Sequence, residues 1–322
     1  MWKPNLTLFS QFFFALRNLS VPHLVFFFLI FLLAFLYPGQ NTLQRLVIHP
    51  GSIRSYTLPS PSPVLYPQND GTIFPRISAR AVIVQDVGSR TLMYAKSPDT
   101  PLLPASTTKI MTALVALSTW PDLDTVITVK NEDRAIGQTI ELQKGEQLTL
   151  KNMLYGLLVH SGNDAALALA DNFPGGYEAF VQAMNVKAES IHLGHTVFKN
   201  PSGVEQYGHV TTARDLAILA GIAMENQLIE QIVSTRAITI TDISGTISHY
   251  LATTNELLGV LPGLKGLKTG WTENAGECLI SYVERDGHPI IIVVLGSLDR
   301  FGDTTALVNW VYAHHNWIIP QI

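Results

Sequence analysis

Cysteine is nearly absent from this chain of 322 residues: Cys278 stands alone, so no intrachain disulfide can form, whatever the redox compartment. Its setting, "GECLISYV", reads as a strand carrying a buried, inert thiol rather than a second nucleophile. Acidic residues are missing altogether before Asp70, and Lys3 and Arg17 are the only charges in the first forty residues. From Asp70 onward 17 basic residues face 25 acidic ones, a formal charge of −8. That balance argues against nucleic acid as a partner, because phosphate binding begins with a basic patch. No internal repeat is visible either, which sets aside solenoid and propeller architectures.

The poverty of charge at the start accompanies an unbroken apolar run, "LVFFFLIFLLAFLY", from Leu24 to Tyr37. Extended back to Leu19 it reaches nineteen residues, interrupted by Ser20, Pro22 and His23, close to the ~20 that span a bilayer. A cleaved secretory signal has a similar layout, but no small-x-small site follows Tyr37. The expectation is therefore an uncleaved anchor at 19–38 behind a short cytoplasmic tail at 1–18, with Lys3 and Arg17 holding the amino end inside. Either reading exports the remainder. Residues 39–75, rich in Pro and Ser, read as an extended tether, and residues 76–322 as the folded domain.

Within that domain, "ARAVIVQD" and "RTLMYAK" predict a hairpin turning at Val87–Ser89. Helical spacing follows from Ala105 to about Leu117, then at about 150–159, 164–172, 176–191 and 212–225. Strand patterning returns with "RAITIT" at 236–241, "GLKGLKTG" at 263–270, and "CLISYVE" and "PIIIVVLG" joined through Asp286-Gly287. A last helix is expected at about 303–312. Strands at both ends with helices between them imply an α+β fold whose single antiparallel sheet is completed by distant segments.

Three short patterns carry chemistry, each present once. In "PASTTKIMTAL", Ser106 and Lys109 lie one helical turn apart, so a lysine made neutral by burial could take the serine proton. A hydroxyl at a helix start is equally at home as a cap. Ser161-Gly162-Asn163, between two helices, could project a proton relay (Ser161) and a substrate amide contact (Asn163) into a cleft; such residues are also ordinary in loops. Lys268-Thr269-Gly270 ends a strand, where a cation and hydroxyl suit a carboxylate and the glycine admits a peptide alongside. The motifs follow in this order with separations of 55 and 107 residues. Together they match the set that marks penicillin-recognising serine enzymes.

On these residues the chain resembles the serine-type D-Ala-D-Ala carboxypeptidases, the low-molecular-mass penicillin-binding proteins with a β-lactamase/transpeptidase-like fold. The likeness runs from about Ile77 to His314 through "HSGNDAALALA", "HVTTARDLAIL", "TTNELL", "GLKGLKTGWTENAGECL" and "LGSLDRFGDT". It implies Ser106 as nucleophile and Lys109 as base, with Ser161 and Asn163 as a second wall. Lys268, Thr269 and Arg300 would hold the terminal carboxylate beside Gly270, and the N–H groups of Ser106 and Trp271 would bind the oxyanion. The implied substrates are peptidoglycan stem peptides ending in D-Ala-D-Ala, with β-lactams as covalent inhibitors and no metal or cofactor. Arg214 and Asp215 resemble a structural pair near the site, and His192 to His195 read as a surface turn. The sequence ends at Ile322, so the added β-rich domain of many relatives is expected to be absent. Ser202-Gly203-Val204 replaces the family's usual His-Gly-Leu block. Alternatives on the same scaffold are a β-lactamase, for which Glu205 is the one acid in a plausible loop, a D,D-endopeptidase and an inactive wall-binding module.

Overall fold

The computed structural model describes residues 21–36, 64–131 and 135–319. The chain divides into two units, Met1–Ser62 and Pro63–Ile322. In the first, helix α1 (Val21–Leu36) is 16 residues long and, apart from His23 in its first turn, apolar. Among the described residues no single helix is long and apolar enough to cross a membrane. The segment expected to span, 19–38, extends beyond both ends of α1 into positions outside the described residues, as do the tail at 1–18 and most of the tether.

The strands of the second unit are β1 (Tyr66–Asn69), β2 (Ala81–Asp86), β3 (Leu92–Lys96), β4 (Val126–Thr128), β5 (Gln147–Thr149), β6 (Ala237–Thr241), β7 (Ser248–Ala252), β8 (Leu264–Thr272), β9 (Gly276–Arg285), β10 (His288–Ser297) and β11 (His315–Ile318). A 3-10 turn, Ala105–Thr108, opens helix α2 (Lys109–Thr119). Then come α3 (Leu150–Leu158), α4 (Asn163–Asn172), α5 (Gly176–Ser190), α6 (Ala213–Met224), α7 (Gln227–Val233) and, near the end, α8 (Arg300–His314). Five strands form the main sheet in the order β3-β2-β10-β9-β8, all antiparallel. The α+β fold with a sheet built from both chain ends is thus present, β2 lying against β10.

The continuous apolar run of β10 has a direct cause: the sheet is covered on both faces. Ile291, Val293 and Leu295 enter one core with the helical region, while Ile290, Ile292 and Val294 enter a second with Leu307, Val308 and Val311 of α8. Successive strand residues point to opposite faces, so a strand buried on both shows no alternation. Each such side chain contributes about 1.5–3 kcal/mol on burial. The β9–β10 turn places Asp286 and Gly287 at φ +52° and +76°, the left-handed pair that an Asp-Gly hairpin requires.

Three features depart from the sequence reading. Strand β1 lies inside the stretch read as tether and pairs antiparallel with β11, Tyr66 opposite Ile318; order therefore begins before Ile77, because the chain leaving α8 supplies a partner edge more than two hundred residues away. "RAITIT" does not join the main sheet, since β6 pairs with β7 in a hairpin of its own. Helix α7 was not anticipated; Asn226 caps it, accepting from the N–H groups of Leu228 and Ile229.

One carboxylate fastens the lead-in to β2. Asp303 of α8 is buried and accepts from Ser78 N, Ser78 Oγ, Ala79 N and Ser297 Oγ. Burial pushes its pKa up, but the hydrogen bonds to Ser297, Ser78 and Ala79 outweigh this and hold it below the ordinary value. Asp303→Ala strands these donors and lowers stability by about 3 kcal/mol, readable by urea denaturation. In the parent protein this contribution is complete above the unfolded pKa of about 4 and fades as pH falls through the lower folded value.

Candidate active site

The 3-10 turn places Ser106 rather than leaving it to a regular helix start. Thr107, not Ser106, folds back on the chain, its Oγ1 donating to Pro104 O at 2.6 Å. No side chain caps the turn or α2, so the Ser106 hydroxyl is not spent as a cap. It is half-buried and faces a cleft of about 650 Å³ also lined by Ser161, Asn163, Thr269, Gly270, Trp271 and Arg300. Gly137 (φ +87°), Ser161 (φ +66°) and Gly203 (φ +86°) line this cleft in left-handed conformations, and Ala105 (φ +48°), next to Ser106, is left-handed as well. Such conformations in non-glycine residues concentrate at functional sites, where the surroundings hold them.

Lys109 is fully buried behind Ser106. Its Nζ lies 2.8 Å from Ser106 Oγ, 2.6 Å from Asn163 Oδ1 and 2.7 Å from the Ser202 carbonyl. The last two are pure acceptors, so they take N–H groups from the amine. A neutral amine has two such protons and one lone pair, and the lone pair then meets the serine hydroxyl. Burial drives the Lys109 pKa well below its usual value, and repulsion from Lys268 adds to the effect.

The Ser202 carbonyl is set by a turn that Asn200 builds, its Oδ1 accepting from Gly203 N at 2.7 Å and its Nδ2 donating to Val204 O. Glycine is required at 203 because a Cβ there would lie 1.9 Å from Ala105 O. Gly270 has a comparable role on β8: its absent Cβ leaves room for Ser106 N, which would lie 3.1 Å away. β8 is an edge strand, so its free backbone edge is open to a peptide.

Lys268 is also buried and does not line the cleft; its Nζ donates to Thr269 O at 3.1 Å. Burial, followed by the neighbouring Arg300 charge, lowers its pKa to about 7. Thr269 presents its hydroxyl to the cleft and shares a 2.5 Å hydrogen bond with Thr254. Arg300 donates from Nη1 to Gly270 O at 3.0 Å, and its buried Nε has no partner among the described residues. Asn163 Nδ2 donates to Ile136 O, so one end of that amide is engaged by the opposite loop. Arg214 and Asp215 do not pair as expected: Arg214 bonds the exposed Asp99, whereas Asp215 accepts from His195 N and Thr196 Oγ1. Glu205 reaches across to Asn274, accepting from its N at 2.8 Å and from its Nδ2.

Sequence reasoning missed Thr254, the Ser202 carbonyl and the Ile136 carbonyl. Thr254 sat inside the quoted "TTNELL" block, whereas a backbone carbonyl leaves no mark in sequence.

A sequence model described as D-alanyl-D-alanine carboxypeptidase matches residues 68–298. The chain belongs to the D-alanyl-D-alanine carboxypeptidase family. Among its relatives, the D-alanyl-D-alanine carboxypeptidase of Streptomyces sp. K15 is 33% identical, covering 74% of this chain and 89% of the relative. DacF of Bacillus subtilis is 31% identical over 74% of this chain, which spans 63% of that relative's length. The D-alanyl-D-alanine endopeptidase of Escherichia coli is 32% identical, with 74% and 78% covered. The crystal structure of the Streptomyces K15 DD-transpeptidase is similar in fold, with TM-score 0.71 and 32% identity over 75% of this chain and 100% of that one.

Proposed function

We propose that this family member is a serine D-alanyl-D-alanine carboxypeptidase that removes the terminal D-Ala from peptidoglycan stem peptides. One observation carries the reading: the desolvated Lys109 amine, with two acceptors for its protons and its remaining position directed at Ser106 Oγ. Ser106 Oγ bonds to the carbonyl carbon of the scissile amide while its proton passes to Lys109 Nζ. The oxyanion is held by the N–H groups of Ser106 and Trp271. The C–N bond then breaks, and the departing amine of D-Ala takes a proton, which Ser161 relays. Water hydrolyses the ester and restores Ser106. Lys268, Thr269 and Arg300 attract the terminal carboxylate, and Asn163 orients the acyl portion. β-Lactams acylate the same oxygen. Release of free D-Ala from an N-acylated D-Ala-D-Ala peptide tests the proposal; a purified chain that binds penicillin covalently but releases no D-Ala contradicts it.

The two lysines give the pH profile its sign. Lys109 must be neutral, so kcat/KM rises as pH increases through its depressed pKa. Lys268 must be charged, so kcat/KM falls again as pH passes about 7. A bound carboxylate favours the Lys268 cation and moves the alkaline limb of kcat to higher pH than that of kcat/KM. Profiles of both parameters for one peptide check this; the absence of an alkaline limb contradicts the role of Lys268.

The same proposal places the catalytic unit outside the cell membrane, tethered by the apolar segment at 19–38. Support comes from the charge pattern, with Lys3 and Arg17 before the segment and no acid until Asp70. Fluorescent penicillin labelling recovered in the membrane fraction, and accessible to an external protease, is the expected result.

A further inference from the structure

We infer that the outer edge of the main sheet, β3 with the lead-in at 73–76, rests on an anionic lipid surface and holds the catalytic cleft away from it. The inference rests on the membrane-anchored reading, which keeps the folded unit close to a bilayer. β3 and β8 are the two edges of the five-stranded sheet. β8 has its use beside Ser106, whereas β3 offers a second unpaired backbone edge, of the kind that folded proteins ordinarily cover or charge.

The surface at that edge is apolar. Ile73, Phe74 and Leu92 are 81%, 53% and 45% exposed, and Phe74 and Leu92 border one groove of about 570 Å³ along β3. Two contacts fix the lead-in against the strand: Phe74 packs on Tyr94 with ring centroids 4.8 Å apart, and Lys96 Nζ donates to Ala79 O at 2.6 Å. The exposed apolar side chains thus form a patch, and a patch marks an interaction site where scattered residues would not.

Charge identifies the occupant. Residues 39–98 hold six basic residues and two acids, Asp70 and Asp86, whereas residues 99–322 hold 13 and 23. Asp86 is buried and accepts from Trp317 and Ser89, and Asp70 is bonded to His314. Arg76, two residues after Phe74, and Arg90, two before Leu92, are exposed, and their side chains make no hydrogen bond among the described residues. A second copy of the chain would set these arginines against themselves. The segment before Val64 carries Arg45 and Arg54 and no acid, so it brings the same sign of charge, and Pro59, Pro61 and Pro63 remove N–H groups that a strand edge needs. An anionic bilayer meets both requirements: its headgroups attract the arginines, and the apolar side chains enter the boundary with the acyl chains.

The unit is also held within reach. The 27 residues at 37–63 link helix α1 to Val64, where the described unit begins, ten residues before Phe74, and they extend at most ~3.3–3.6 Å each. With β3 against the lipid, β8 stands four strand spacings farther out, about 19 Å. The cleft beside β8 is then clear of the headgroups.

Hydrogen exchange of the full chain in vesicles tests the contact. With phosphatidylglycerol present, the amides of residues 71–76 and 92–96 exchange about ten-fold more slowly than in vesicles of phosphatidylcholine alone, while those of α5 exchange equally in both. Arg76→Glu/Arg90→Glu abolishes the difference, yet the chain stays with the vesicles and acylates with benzylpenicillin at the parental rate. Ile73→Ser, which keeps the charges, reduces it. Equal exchange in the two lipids, or protection retained by Arg76→Glu/Arg90→Glu, overturns the inference. So does protection in detergent that grows with protein concentration, which assigns the edge to a second copy. Absence of the chain from the vesicle fraction is a separate result, removing the anchored reading on which the inference stands.

Discussion

Lys109→Arg acylates with benzylpenicillin about a thousand-fold more slowly than the parent protein, the loss expected when a general base is removed. A guanidinium remains protonated at any accessible pH and cannot accept the Ser106 proton. It is also too large for a position closed by Ser106 Oγ, Asn163 Oδ1 and Ser202 O, all within 2.8 Å of the amine. Lys109→Met separates chemistry from fit, since it keeps the approximate length without the basic nitrogen. It leaves the two acceptors unpaired, a cost of about 1–3 kcal/mol, and loses acylation to the same extent. Thermal unfolding confirms that each variant is folded at the assay temperature. Near-parental acylation by either one contradicts the assignment of Lys109 as base.

Gly203→Ala has the second large effect, through crowding rather than lost chemistry. Its Cβ would meet Ala105 O at 1.9 Å and Ala105 C at 2.4 Å, and neither backbone atom can swing aside as a side chain would. Gly203 also stands at φ +86°, where an L-residue is strained. Relief must come from moving either the turn that aims Ser202 O at Lys109 or the turn that holds Ser106. A displacement of about 1 Å at either place slows acylation by about a hundred-fold. Gly71 is the control, because it has φ +96° but nothing within 4 Å of its Cβ position. Gly71→Ala bears the backbone strain alone, and its acylation rate stays at the parental value. Acylation by Gly203→Ala at that same rate would show that the two turns are not coupled.

The parts legible in sequence were those with a period or a rare pattern. Ser106 and Lys109 announced themselves by helical spacing, and the run in β10 by its unbroken apolar character. The capping reading of Ser106 could be dismissed only in the structure, where Thr107 makes the local bond. Lys268 illustrates the opposite limit: its motif reads as a strand end, yet it lies in the middle of β8 (Leu264–Thr272), and its burial follows from what packs around that strand and has no local signal. Strand β1 escaped notice because "YPQN" lacks alternation and pairs only with a segment at the far end of the chain. The contacts that prepare Lys109 depend on the Ser202 carbonyl, which any residue type would supply.

Locating the bond that a β-lactam forms tests the account at its foundation. After incubation with benzylpenicillin, intact-mass analysis followed by peptide mapping is predicted to find one ring-opened penicilloyl group per chain, adding the full mass of the antibiotic at Ser106, and none on Ser106→Ala. Attachment at Ser161, at Cys278 or anywhere else, or labelling that survives Ser106→Ala, would contradict it.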